Sequence, residues 1–374
     1  MKRIFLSPPF VDEAERSKVA EAFDSNYVAP CGPMVELFEE RLAHLAGRKY
    51  AVAVSSGTAA IELLLAHFKV DGSWIVIAPT LTFIASVGPA YRRGASLRLV
   101  DCDVSGNVDM ALLETALKDA CAEGRKILFI GVDLYGRCCD YGMVESLCEK
   151  YGALFICDSA EAVGASFRGR AAGSAGIAAI YSFNGNKIIT TSGGGAVLTD
   201  SKELADHVRK MSTQSRENTL WYEHVELGFN YRMSNILAAI GLSQIEKLPQ
   251  ILKAKASIKE FYSTFVSQGA VMLPQMDGEN NWLSILLLED SVKRDALIAA
   301  LDAAGIESRP VWKPMHLQIV FSGVRIYGGQ ISEGLFARGI CLPSGAGLSP
   351  DDLERIKVVL KEHLPARRSV TEIA

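Results

Sequence analysis

Between residues 50 and 158, short apolar runs alternate with helically spaced segments, and this alternation narrows the possible folds more than any other feature. The runs are 50–54, 74–77, 97–100, 127–132 and 154–157; the segments with helical spacing are 59–68, 82–91, 110–121 and 143–151. Continuous apolar strands separated by helices imply a parallel sheet covered on both faces. Such sheets bind ligands at the carboxyl ends of their strands. The polar turns Ser55-Ser56-Gly57-Thr58, Pro79-Thr80-Leu81-Thr82, Asp101-Cys102-Asp103 and the single Asp158 all fall at such ends.

The rest of the chain frames this unit. Helical spacing at 12–23 and 34–45 precedes it. After it, 230–246 reads as a long helix, Pro249 interrupts, and a further helix leads to Ser267. From Val271 the elements shorten: a strand at 282–288 and helices at 292–304 and 351–361. At 374 residues the chain exceeds what one core usually supports. The expectation is an α/β large domain over 1–250 and a smaller α+β domain over 251–374.

Composition excludes several classes. A net charge of -4 leaves no electrostatic footprint for nucleic acid. No apolar run approaches a membrane span, and the start reaches Pro8-Pro9 too early for a signal-peptide core. The eight cysteines form no Cys-x-x-Cys pair and no zinc-like spacing with the histidines. That pattern reads as a reduced, cytoplasmic protein without a metal. No P-loop ending and no Gly-x-Gly-x-x-Gly after a strand is present.

Lys187 is the only charged residue between Ala171 and Thr199. Burial disfavours a charged amine, and a neutral amine is what Schiff-base formation requires. Gly193, Gly194 and Gly195 allow the backbone close to something bulky. The alternative is a lysine at the lip of a buried strand. Asp158 suits a cofactor ring nitrogen or caps a helix over 159–163. Gly57 and Thr58 open a helix whose amides suit a phosphate, or form a simple cap. Phe83, after Pro79-Thr80-Leu81-Thr82, either stacks on a planar cofactor or belongs to the core. Ser182 and Asn184 flank the lysine within reach of a phosphate or ring hydroxyl. Arg309, Trp312, Lys313 and His316 lie in a proline-stiffened stretch that reads as a binding loop or as ordinary surface.

Together these stretches resemble the DegT/DnrJ/EryC1/StrS family of pyridoxal-phosphate sugar-nucleotide aminotransferases. The resemblance is carried in order by SSGTAAIELLL, PTLTFIASVGPAYRRGA, VDCD, DLYG, DSAEAVGA, YSFNGNKIITTSGGGAVLTD, GFNYRMSNILAAIGLSQIEKL, RPVWKPMH and CLPSG. Within the family the chain looks nearest to enzymes acting on UDP-4-keto-6-deoxy-N-acetylglucosamine in bacillosamine synthesis. The resemblance implies a fold-type-I (aspartate aminotransferase-like) enzyme with a three-layer large domain, and a homodimer with shared active sites. It makes Lys187 the cofactor-bearing lysine, Asp158 the partner of the ring nitrogen and Phe83 the ring stacker. Gly57, Thr58 and Ser182 would hold the phosphate, with Asn230 reaching in from the neighbouring subunit. Glu161, where many relatives carry Gln, would lie near the ring hydroxyl. Cys157 stands where an acidic residue is common, and Val132-Asp133 replaces a more usual His before Leu-Tyr-Gly.

The implied reaction takes the amino group from L-glutamate and gives it to a nucleotide-linked keto sugar. Relatives that remove a sugar hydroxyl carry His at the lysine position, so Lys187 argues against that reaction. Two other readings stay open: a 3-keto sugar aminotransferase, and a non-catalytic regulator on the same fold.

Overall fold

The computed structural model describes residues 2–266 and 270–364. Strand-forming residues alternate between two apolar faces, which explains the layered plan. Ile75, Ile77, Ile127, Phe129, Phe155 and Tyr181 pack into one cluster, and Val76, Ala78, Leu128, Ile130, Ile156 and Ile180 into another. With both faces apolar, the sheet is buried only when helices cover both sides. The helices Gly57–His67 and Lys202–Ser212 cover the second cluster. The helices Pro33–Ala46, Met110–Cys121, Tyr141–Lys150 and part of Asn235–Ser263 cover the first.

The sheet has eight strands in the order Tyr50–Val54, Gly195–Thr199, Ala178–Ser182, Leu154–Asp158, Lys126–Val132, Trp74–Pro79, Ser96–Val100 and Arg325–Tyr327. Pairing is parallel from Ala178–Ser182 to the far edge. Gly195–Thr199 runs antiparallel to both its neighbours. The sheet is therefore mixed rather than wholly parallel, because the lysine stretch returns as a hairpin with Ser182 opposite Gly195. A second, antiparallel sheet joins Val271–Met272, Ser284–Leu287, Gly339–Leu342 and Arg309–Pro310. The chain after residue 250 thus contributes to both sheets.

Two helical expectations change. The segment 82–91 is a 3-10 turn, Ile84–Ser86, followed by a short helix, Gly88–Arg92. Pro89 disfavours helical backbone at the residue before it, so the helix restarts there. Second, Pro249 does not end a helix: Asn235–Ser263 runs through it for 29 residues, about 43 Å. Leu248 and Ile251, on either side, are buried in the main core, and that packing outweighs the lost backbone bond. The helix opens at Ser234, whose side chain caps it. Asn230 precedes it in an isolated bridge with Thr213. The helix begins at Asn235, five residues after the start expected at 230, and Ser267 falls outside the described residues.

Asp101 ties the two parts of the chain together. At the end of Ser96–Val100, its carboxylate accepts the amides of Gly329, Ile331 and Ser332. It thereby caps the helix Gln330–Arg338, whose own N-cap, Gly329, has no side chain to do so. All eight cysteines are free, with Cys31 and Cys121 exposed and the others buried. Among the described residues, no helix is long and apolar enough to cross a membrane.

Candidate active site

A cavity of about 320 Å³ lies at the carboxyl edge of the large sheet. Its lining includes Gly57, Thr58, Phe83, Asp158, Glu161, Ser182, Asn184, Lys187 and Trp312. Residues separated by up to 255 positions thus meet: those up to Lys187 stand at or beyond strands that end on this edge, while Trp312 follows Arg309–Pro310 of the small sheet.

Lys187 sits in the loop between Ala178–Ser182 and Gly195–Thr199. The loop is closed by Phe183 N–H to Gly194 O at 2.8 Å and Thr191 N–H to Phe183 O at 2.9 Å. The lysine side chain is 11% exposed. Its amine donates to Glu161 Oε1 at 3.2 Å and lies 4.3 Å from the Trp282 ring centroid. Burial of this amine is therefore compensated by a carboxylate and an aromatic face.

The glycines after it serve the chain's own packing. A Cβ on Gly195 would come within 2.4 Å of the Ser56 backbone, and one on Gly194 within 2.3 Å of Thr191 Oγ1. Only Gly193 faces open space. The lysine hairpin is thus pressed against the first turn of Gly57–His67. In that turn Ser56 caps Ala59 N and its carbonyl takes Ala60 N. The amides of Gly57 and Thr58 remain free for a ligand, as helix-opening amides do.

Asp158 is buried. Its Oδ2 accepts the Ser86 hydroxyl at 2.7 Å, and Oδ1 accepts the Ala160 amide at 3.1 Å. Residues 159–163 form turns rather than the helix considered above. Burial pushes the Asp158 carboxyl above the usual carboxylate range; the Ser86 and Ala160 hydrogen bonds and the Lys187 charge oppose it. Glu161 behaves alike: burial raises it, while Lys187 and the Tyr135 amide hold it back. A cationic ring nitrogen beside Asp158 would relieve that penalty, because an opposite charge favours the ionised form. Phe83 is 54% exposed and lies 5.3 Å from the Trp312 ring, so it belongs to the cavity wall and not to the core.

Four of the expected residues lie outside this cavity. His316 has both ring nitrogens engaged, Nδ1 with the Thr80 hydroxyl at 2.7 Å and Nε2 with Glu333 at 3.0 Å. It fastens its loop to the sheet edge instead of facing the cavity. Lys313 is exposed beside it. Arg309 lines an adjoining chamber of about 600 Å³, which shares Phe83, Asn186, Trp282 and Trp312 with the first. Asn230 is exposed and is not among the residues lining this cavity.

Sequence reasoning gave no role to Ser86, Tyr135 or Trp282. Ser86 lies three residues after Phe83 in the same motif, which was its one available signal. Tyr135 belongs to the Asp-Leu-Tyr-Gly stretch, and its left-handed φ of 54° delivers its amide to Glu161 Oε2 at 2.7 Å. Trp282 reads as the first residue of a strand, but the strand begins at Ser284.

The amine, the two buried carboxylates, the helix-opening amides and the aromatic wall form a donor set that fits a phosphorylated pyridine aldehyde. Comparison with known proteins decides the family. The sequence profile of the DegT/DnrJ/EryC1/StrS aminotransferase family matches residues 9–361. The chain belongs to this family. EpsN of Bacillus subtilis is 38% identical across 96% of this chain and 95% of its own length. The GDP-perosamine synthase of Caulobacter vibrioides is 36% identical across 97% and 99%. Among solved structures, Spr1654 of Streptococcus pneumoniae in its PLP form gives a TM-score of 0.88 at 25% identity, covering 97% and 100%.

The fold is thus that of the fold-type-I enzymes expected from sequence, and the chain is a pyridoxal-phosphate aminotransferase. The finer likeness to bacillosamine enzymes is not what these relatives' names carry.

Proposed function

We propose that this aminotransferase moves the amino group of L-glutamate to carbon 4 of a nucleotide-linked 4-keto-6-deoxy sugar for bacterial glycan synthesis in the cytoplasm. On the sequence resemblance described above, the acceptor is taken to be a UDP-linked 2-acetamido sugar. The observation that carries the reading is Lys187, held by Glu161 and Trp282 beside the buried Asp158, in a cavity that opens into a second chamber.

Pyridoxal phosphate, when bound, supplies an electron sink for the carbanion formed at the donor's alpha carbon. Lys187 would hold it and would move the proton at that carbon. Asp158 would face the ring nitrogen, with Ser86 fixing the carboxylate's orientation. Gly57, Thr58 and Ser182 would hold the phosphate, Phe83 would stack on the ring, and Glu161 and Asn184 would serve its hydroxyl. Trp312 and Arg309 bound the path through which the sugar nucleotide enters, Lys313 contributes from the loop behind it, and His316 holds that loop to the sheet edge. Two subunits share each site, with Asn230 of one reaching the phosphate of the other.

A second reading concerns the nucleotide. Two relatives that are 36% and 32% identical over nearly the whole chain are GDP-perosamine synthases, which favours GDP-linked 4-keto sugars as the alternative class. The deciding experiment offers UDP- and GDP-linked 4-keto and 3-keto sugars with glutamate and weighs the products. Amination of a UDP-linked 4-keto sugar supports the proposal. Amination only of GDP-linked or 3-keto sugars redirects the substrate, and no amination of any overturns it.

A further inference from the structure

Lys255 lies within the helix Asn235–Ser263 and is 2% exposed. Its amine meets two backbone carbonyls, Trp282 O at 3.1 Å and Ser344 O at 2.7 Å. It makes no ion pair with a carboxylate among the described residues. A methionine would fill the same space without the cost of burying an amine. What the amine adds is donors for two interior carbonyls.

Those carbonyls stand where two paired strands part. The last rung between Ser284–Leu287 and Gly339–Leu342 is Ser284 opposite Leu342. Beyond it the Ser284 amide turns to Ser344 Oγ at 2.9 Å, and the chain before Ser284 leaves the ladder. Trp282 is then fixed at three points. Its amide donates to Asn280 Oδ1 at 2.9 Å, its carbonyl accepts from Lys255, and its indole Nε1 donates to Asn186 O at 2.7 Å. Asn186 immediately precedes Lys187, and the Trp282 ring covers the Lys187 amine at 4.3 Å. Lys255 itself is absent from the cavity lining.

We infer that Lys255 is a positioning residue: through the Trp282 carbonyl it sets the indole over Lys187 and holds the end of the small sheet against the lysine loop. Without it, an interior carbonyl is left without a donor, the strand end relaxes and the ring moves off the amine. The inference rests on Lys187 being the reactive amine of the proposed function. It is tested on the cofactor-free full chain, so that failure of amino transfer leaves this readout intact.

The test is acylation of Lys187 by a small reagent at fixed pH, followed by peptide mass spectrometry, with exposed Lys202 as internal reference. Trp282→Leu uncovers the amine and accelerates labelling about threefold or more, the scale of a lost cation–π contact. Lys255→Met gives the same acceleration, and the double variant adds nothing further because both act on one contact. Lys255→Gln keeps an amide N–H₂ on a shorter side chain and falls between; it stands in if Lys255→Met does not fold. Wild-type labelling in the Lys255 variants, with Trp282→Leu accelerated, would show a purely structural lysine and overturn the inference. Wild-type labelling in Trp282→Leu would overturn it equally, since the ring would then not cover the amine.

Discussion

Glu161 joins the Lys187 amine to a strained backbone: Oε1 lies 3.2 Å from Lys187 Nζ, and Oε2 accepts the Tyr135 amide at 2.7 Å. Tyr135 holds φ 54°, a conformation that non-glycine residues seldom adopt. Glu161→Gln keeps an oxygen for that amide but turns its N–H₂ toward Lys187, losing both the charge and the acceptor there. Glu161→Ala also loses the oxygen for that amide and should lower unfolding stability by about 1–3 kcal/mol more than the glutamine variant. Denaturant melts of the two variants check this; equal losses would mean the Tyr135 amide gains nothing from the carboxylate.

Asp158 depends on Ser86 in the same way. Burial raises the Asp158 carboxyl, and the Ser86 hydroxyl opposes that rise. Ser86→Ala should raise it further, so the acid limb of the kcat profile moves to higher pH. Asp158→Asn should retain the fold and lose well over about tenfold in kcat, more than 1.4 kcal/mol of barrier. An acid limb unmoved in Ser86→Ala would separate Ser86 from the function of Asp158.

Lys255 also predicts how stability varies with pH. Burial pushes its amine down to about 7 from 10.5. Between those values the unfolded chain binds a proton that the folded chain does not, so folding stability rises with pH across that window. Below about 7 both states are protonated and the full penalty is present. Lys255→Met removes this dependence. Relative to wild type, the variant should therefore be more stable at pH 6.5 than at pH 9.5, by as much as several kcal/mol. Denaturant melts at the two pH values measure it, and a difference independent of pH would contradict it.

Much of this plan is legible in the sequence for identifiable reasons. The strands are continuous apolar runs, and Lys187, Asp158, Gly57 and Phe83 lie at or beyond their ends, so their meeting in one cavity could be expected from local pattern. What local pattern misses is tertiary. Pro249 reads as a break because the packing of Leu248 and Ile251 is invisible in the chain order. His316 reads as a free binding residue because Thr80 and Glu333, which occupy its two nitrogens, are distant in sequence. Trp282 reads as a strand residue because only Lys255, Asn280 and Asn186 together show why it leaves the ladder.

Asp101 provides a test of the bridge between the two halves of the chain. Three amides hold its carboxylate below the usual range despite burial. Asp101→Ala leaves the first turn of Gln330–Arg338 uncapped and should cost about 3 kcal/mol, a cap plus buried amides without acceptors. Because the folded value is depressed, this contribution is present above the ordinary carboxylate range and lost as pH falls through the folded value. A melt at neutral pH within about 0.5 kcal/mol of wild type would contradict that role.

The shared-site proposal has its own test. Asn230 is exposed in its own subunit, as a residue serving a neighbour would be. Lys187→Ala and Asn230→Asp should each be nearly inactive alone. Mixed dimers collect both defects in one site and neither in the other, so random reassortment restores roughly a quarter of all sites. Confirmed mixed dimers with no recovered activity would confine Asn230 to its own chain.

The most direct test of the whole account is borohydride reduction of the yellow holoenzyme, followed by peptide mass spectrometry. The account predicts the reduced cofactor on the peptide containing Lys187 and on no other, with no fixation in Lys187→Ala. Cofactor fixed to any other lysine in the wild-type protein would contradict it.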